Sequence, residues 1–123
     1  MRGQRLFVRP IEASDRAAIE TFLAAAGGGN AAPVCGLLGK LVGDLVAVLA
    51  LEITPDAVRV ADLVVAREFR RKRIGRFMLD EAGRLARKLD RNMLVIEDPG
   101  AASRFFSCAG FSGSEGRMTR RVE

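Results

Sequence analysis

The stretch Phe69-Arg70-Arg71-Lys72-Arg73-Ile74-Gly75-Arg76-Phe77-Met78-Leu79 decides how the rest of this chain is read. Its first half is cationic, and with Arg67 it places six basic residues within ten positions. Its second half opens a helix that the spacing carries from Ile74 to Asp90. Ile74, Met78, Ala82, Leu85 and Leu89 form an apolar stripe, and Arg76, Asp80, Arg84, Arg87 and Arg91 project from the other side. Before it, Ala57 to Val65 is rich in β-branched residues and reads as a strand. The cations therefore sit between the carboxyl end of a strand and the start of a helix. The first N–H groups of a helix have no internal partner, and its dipole is positive there, so phosphate is favoured. Gly75 removes a side chain in the first turn. Arg70, Arg71, Lys72, Arg73 and Arg76 add charge around it.

Working outward, Leu6 to Arg9 is a short strand, and Ser14 is placed to cap the next helix with Asp15 in its first turn. Ile19, Phe22, Leu23 and Ala26 share one face of that helix, which Gly27 stops. Residues 27–33 form a loop. Val34 to Leu38 then turns at Gly39-Lys40 into Leu41 to Ile53, and Thr54-Pro55-Asp56 leads into Ala57 to Val65. Connections this short imply antiparallel neighbours. The unbroken apolar run Leu45 to Leu51 marks a central strand covered on both faces. Asp62 among the valines points to a place where the sheet opens to solvent. Met93 to Ile96 is a further strand, parallel to Ala57–Val65 through a right-handed crossover. A short helix from Ala101 to Ala109 follows Asp98-Pro99-Gly100, and the remaining residues hold at most a short hairpin.

Composition narrows the chemistry. A chain of 123 residues, 49% hydrophobic, suits one domain with a real core. The run Leu45 to Leu51 is too short to cross a bilayer, and no signal-peptide stretch precedes Pro10, so a soluble cytoplasmic protein is expected. With no histidine and two distant cysteines, Cys35 and Cys108, a metal site of the usual zinc spacing and a His-based triad are excluded. Both thiols are expected to be reduced, with Cys108 buried. The net charge of +5 would suit nucleic acid, but aromatic interleaving is sparse and Phe69 and Phe77 read as core residues, so that partner is disfavoured.

The loop lacks the Gly-x-x-x-x-Gly-Lys-Ser/Thr and Gly-x-Gly-x-x-Gly patterns. It resembles instead the pyrophosphate motif of the GNAT acetyltransferases, Arg/Gln-x-x-Gly-x-Gly/Ala, with Arg70 first, Gly75 last and Arg73 in place of the first glycine. The order of elements is similar over nearly the whole chain. Ala101-Ala102-Ser103-Arg104-Phe105-Phe106-Ser107-Cys108-Ala109-Gly110-Phe111 resembles the late Asn-x-x-Ala-x-x-Phe-Tyr-x-x-x-Gly-Phe segment of that family.

The resemblance implies an α/β (α+β) acyltransferase fold, a mixed sheet of about six to seven strands flanked by helices. It implies acetyl-CoA as cosubstrate, held by Arg70, Arg71, Lys72, Arg73, Ile74, Gly75 and Arg76, with Leu63, Val64 and Val65 along the pantetheine arm. The acceptor is an amine that attacks the thioester directly, with Glu97 as the base and Asp62 as second choice. Pro99 replaces the family's Asn, and Phe106 replaces a Tyr that protonates the departing thiolate. The region that normally walls the acceptor site is short, as is the last hairpin, so a second copy of the chain is one way to complete that wall. A domain that binds acetyl-CoA as a sensor or partner subunit, with weak catalysis, is the alternative.

Overall fold

The computed structural model describes residues 6–27, 32–70, 73–114 and 116–122. Seven strands form one sheet in the order β1-β2-β3-β4-β5-β7-β6: β1 (Leu6–Pro10), β2 (Gly36–Leu41), β3 (Asp44–Ile53), β4 (Val58–Val65), β5 (Met93–Glu97), β6 (Ser112–Ser114) and β7 (Arg117–Arg121). All neighbours are antiparallel except β4 and β5, which are joined through the crossover helix α2 (Ile74–Lys88). Helix α1 (Arg16–Ala26) covers the other face, and α3 (Ser103–Cys108) follows β5. Among the described residues no helix is long and apolar enough to cross a membrane.

The sheet is buried on both sides. Leu37, Ala47, Leu49, Val58, Val60 and Leu94 pack with Met78, Leu79 and Ala82 of α2. Leu38, Val48 and Val64 pack with Ile19, Leu23 and Ala26 of α1. The apolar run in β3 therefore supplies both cores, and that is why it shows no polar alternation.

Where β4 meets β3, Ala50 pairs with Asp62 but Leu51 pairs with Val60, which leaves Ala61 as an extra residue. Regular alternation would put Val60 and Val64 on one face. The bulge reverses the faces, so Val60 lies in the α2 core and Val64 in the α1 core. Beyond it β4 leaves β5. The two strands pair only at Val58–Leu94 and Arg59–Val95, and a cleft opens between them. Asp62 is exposed at this opening, as its place among the valines predicted.

Several local expectations need correction. The β2–β3 turn is Val42-Gly43 rather than Gly39-Lys40. Its two central residues have φ of 50° and 86°, the primed geometry that suits twisted hairpins. Gly39 instead lies within β2, where a Cβ would sit 3.0 Å from Met78 Sδ. Ser14 does not cap α1. Asp15 turns back to accept the Glu12 N–H at 2.8 Å and both terminal nitrogens of Arg9, at 2.8 and 2.6 Å. Helix α2 ends at Lys88, which leaves Leu89 38% exposed, while Leu79, Gly83 and Ala86 are buried. A strict spacing of four drifts by about 40° per step on a helix of 3.6 residues per turn, so the true stripe takes in the adjacent row. Phe69 packs against the core, but Phe77 is 42% exposed. Cys108 is exposed and unpaired, since Phe106 and Ala109 take the inward positions of α3.

Two stability tests follow from this geometry. Val42 is β-branched, left-handed and 76% exposed, a combination that favours Asn or Gly. Val42→Asn should stabilise the fold by roughly 1 kcal/mol, read as a higher urea midpoint with unchanged slope. The Arg9 guanidinium, then the Glu12 N–H, lower the Asp15 carboxyl from 3.8 to about 2. A lowered folded-state value contributes stability that is present above the unfolded value and fades as pH falls towards 2. Asp15→Asn should therefore lower the melting temperature at pH 7, and the difference from wild type should shrink between about pH 4 and pH 2.

Candidate functional site

The departure of β4 from β5 exposes backbone on one edge of β4. Ala66 N–H donates across to Val46 C=O on the β3 side at 2.8 Å. Groups alternate along a strand, so Leu63 and Val65 face the open edge. Their contacts agree: Leu63 N–H donates to Asp62 Oδ1 at 2.9 Å, and Val65 C=O accepts from Arg70 Nε at 3.0 Å.

A cleft of about 750 Å³ runs from this edge to the start of α2. Asp62, Leu63, Val64 and Val65 line it on the strand side, with Arg70, Arg73, Ile74, Gly75 and Arg76 on the helix side. Every described residue expected to hold a cofactor is thus gathered here, Phe106 excepted. Arg71 and Lys72 lie outside the described residues. Val64 lies between the two edge-facing residues, with its side chain in the α1 core and its backbone paired to β3. The first hydrogen bond of α2 is Phe77 N–H to Arg73 C=O at 3.0 Å, and Arg73 makes no side-chain cap. The N–H groups of Ile74, Gly75 and Arg76 thus lack the partner that an N-cap oxygen commonly supplies.

The arginines around this cleft are not equivalent. Besides Val65 C=O, Arg70 reaches Ala26 C=O at the end of α1, at 3.4 Å. No basic residue stands in the last turn of α1 itself, so Arg70 supplies the positive charge that this helix end favours. The side chains of Arg73 and Arg76 make no hydrogen bond or ion pair among the described residues.

A second cleft, of about 250 Å³, lies between β4 and the end of β5. Ala61, Asp62 and Leu63 line it opposite Ile96, Glu97, Asp98 and Pro99, with Phe106 at its base. Asp62 and Glu97, the two candidate bases, therefore share one cavity, and both are exposed. Phe106 is 5% exposed and stacks edge-on with Phe105 and Phe111, at 5.0 and 5.4 Å between ring centres. Asp62, Leu63, Ala102 and Phe105 belong to both clefts, so the two form one continuous groove.

Ala102 and Phe105 were missed in the sequence, where attention fell on the neighbouring Phe106. Their i, i+3 spacing on a short helix is the signal that places them on one face. Phe105 also gives a different reason for Gly75. A Cβ at that position would lie 3.1 Å from the Phe105 ring and 3.4 Å from Leu63, so a side chain there would press on the Phe105 ring where α2 meets α3 and β4.

Comparison with known proteins agrees with this architecture. No curated protein matches the chain. The ribosomal-protein-S18-alanine N-acetyltransferase of Escherichia coli is similar in structure, with a TM-score of 0.78 at 14% identity over 97% of this chain and 95% of that one. A GNAT family N-acetyltransferase of Escherichia coli in complex with CoA has a TM-score of 0.69 at 17% identity, covering 100% of this chain and 84% of that one. N-acetylglutamate synthase of Neisseria gonorrhoeae, complexed with coenzyme A and N-acetyl-glutamate, has a TM-score of 0.74 at 17% identity. This chain, 97% covered, spans 35% of that enzyme. The family model "Acetyltransferase (GNAT) domain" matches residues 21–112, which include the bulged strand, the cationic turn, α2 and α3. The protein belongs to the GNAT family and is an acetyltransferase.

Proposed function

We propose that this acetyltransferase uses acetyl-CoA and passes the acetyl group directly to a primary amine. The observation that carries this reading is the single groove with two unlike ends. One end has uncapped N–H groups and arginines, and the other is a small cavity lined by carboxylates. Acetyl-CoA is equally asymmetric, with phosphates at one end and a thioester at the other, and it supplies an acetyl group already activated for transfer.

The N–H groups of Ile74, Gly75 and Arg76, with Arg73 and Arg76 and the neighbouring Arg71 and Lys72, bind the phosphates. The open edge of the Leu63–Val65 segment, at Leu63 and Val65, pairs with the amide-bearing arm, as a further strand would. Val65 N–H faces that edge and is suited to stabilise negative charge developing on the acetyl oxygen. Glu97 takes a proton from the acceptor's ammonium, directly or through one water, and so frees the amine to attack the thioester, with Asp62 across the cavity as the alternative. Phe106 helps to wall the sulfur end and donates no proton. A thiol of pKa about 8.5 leaves acceptably as the thiolate.

The acceptor is selected outside the shared fold. Related structures carry names as different as an S18-alanine N-acetyltransferase, an N-acetylglutamate synthase and a nourseothricin acetyltransferase. Thiol release from acetyl-CoA across amino acids, aminated antibiotics, peptides and protein N-termini is the direct test of function.

CoA at about 100 times its dissociation constant should add about 2.7 kcal/mol of stability, seen as a higher melting temperature. A melt unmoved by millimolar CoA would count decisively against the reading. Gly75→Glu should abolish the shift, because it adds bulk against Phe105 and a negative charge at the phosphate end. Once an acceptor is found, Glu97→Gln should lower turnover by about 10²-fold with CoA affinity nearly unchanged. Turnover within about threefold of wild type would move the proton to Asp62 or to solvent.

A further inference from the structure

The open edge of β4 is not bare. Leu63 and Val65 each turn an N–H and a C=O towards it. The outer pair of these groups is held by the chain's own side chains: Leu63 N–H donates to Asp62 Oδ1, and Val65 C=O accepts from Arg70 Nε. The inner pair, Leu63 C=O and Val65 N–H, has no side-chain partner among the described residues. A ligand that pairs along this edge towards the smaller cleft therefore meets Asp62 at Leu63.

Asp62 stands where the two clefts join. Val65 lines the larger cleft, whereas Asp62 and Leu63 line both. The Asp62 carboxylate is exposed and forms no ion pair among the described residues. Its hold on Leu63 N–H is charge-assisted, so it is a stronger acceptor than a neutral carbonyl. One N–H in a strand edge serves one acceptor well, so a ligand carbonyl placed against Leu63 must displace the carboxylate. The space open to it is the smaller cleft, opposite Glu97.

We propose that Asp62 is a displaceable cap that couples the two reactants. In the free protein its carboxylate holds Leu63 N–H. When a carbonyl of acetyl-CoA takes that N–H, the carboxylate turns into the smaller cleft and attracts the ammonium of the acceptor. The acceptor's charge in turn stabilises the displaced carboxylate, so each reactant favours binding of the other. The inference rests on the acetyl-CoA reading above and adds to it a link between the two ends of the groove.

The experiment measures dissociation constants for CoA and acetyl-CoA by calorimetry, and hydrogen exchange of the Leu63 amide by NMR. It compares wild type with Asp62→Ala, Asp62→Asn and Asp98→Asn. Asp98 lines the same cleft, so its variant reports the effect of removing charge alone. In ligand-free Asp62→Ala the Leu63 amide should exchange roughly tenfold faster than in wild type, and saturating acetyl-CoA should remove the difference. Asp62→Ala should bind acetyl-CoA about fivefold more tightly. Asp62→Asn, whose amide oxygen is a weaker acceptor, should fall between it and wild type, and Asp98→Asn should stay within about twofold of wild type. Tightening confined to acetyl-CoA identifies the acetyl carbonyl as the displacing group, and equal tightening with CoA identifies an amide carbonyl of the arm. Both patterns support the proposal. With an acceptor in hand, Asp62→Ala should raise its KM by about tenfold and change kcat less, opposite in sign to the effect on acetyl-CoA.

Equal tightening in Asp62→Ala, Asp62→Asn and Asp98→Asn would reduce the effect to charge repulsion and overturn the proposal. Unchanged Leu63 exchange in ligand-free Asp62→Ala would overturn it as well, and so would an unchanged acceptor KM. Each of these leaves the acetyl-CoA reading intact. Wild-type protein that binds neither ligand at millimolar concentration would overturn that reading, and this proposal with it.

Discussion

The extra residue at Ala61 is the constraint from which the groove follows. A regular β4 would keep one face towards α2 along its length and could stay paired with β5. With two residues opposite one, the strand bends and its faces exchange, so Val60 and Val64 enter different cores. Both halves of the strand are thereby buried satisfactorily, and the divergence from β5 is locked by packing on both sides of the sheet. The open edge at Leu63 and Val65 is the result. The acetyltransferase fold thus builds its groove by bending one interior strand, and the loops only decorate it.

Charge is distributed along the groove rather than averaged over it. The end near α2 holds the arginines and the positive end of a helix of 15 residues, and the end near β5 holds Asp62, Glu97 and Asp98. In a chain with a net charge of +5, the carboxylate-lined cavity is a local reversal of sign. An elongated ligand with phosphates at one end therefore meets a potential that orients it before contact. A cation meets attraction at the other end, so opposite charges favour opposite ends of one groove.

Much of this was legible because it rests on periodicity and on charge in context. The β3 run of consecutive apolar residues, the parallel join of β4 to β5, the Gly27 stop and the cationic turn before α2 all follow from local pattern. What failed depended on side-chain contacts that local pattern does not announce. Gly39 looked like a turn because its partner, Met78, lies 39 positions away in sequence and nothing local announces it. Asp15 displaced Ser14 because Arg9 was there to pair with it. Phe105 was passed over for Phe106 since sequence alone does not show which face of a six-residue helix turns towards β4. The bulge itself was visible only as an aspartate in an apolar strand.

The short seam between β4 and β5 has a mechanical consequence. Two paired positions join the strands β1 to β4 to the strands β5 to β7, so the sheet is in effect two plates meeting along a narrow hinge. The splint across that hinge is α2, whose buried face touches strands of both plates. Met78, fully buried and seated against Gly39 one helical turn beyond Ile74, therefore takes part in setting the angle between the plates. Close-packed interiors transmit strain. Slack or pressure introduced at that core contact would be felt at the groove as a change in its width.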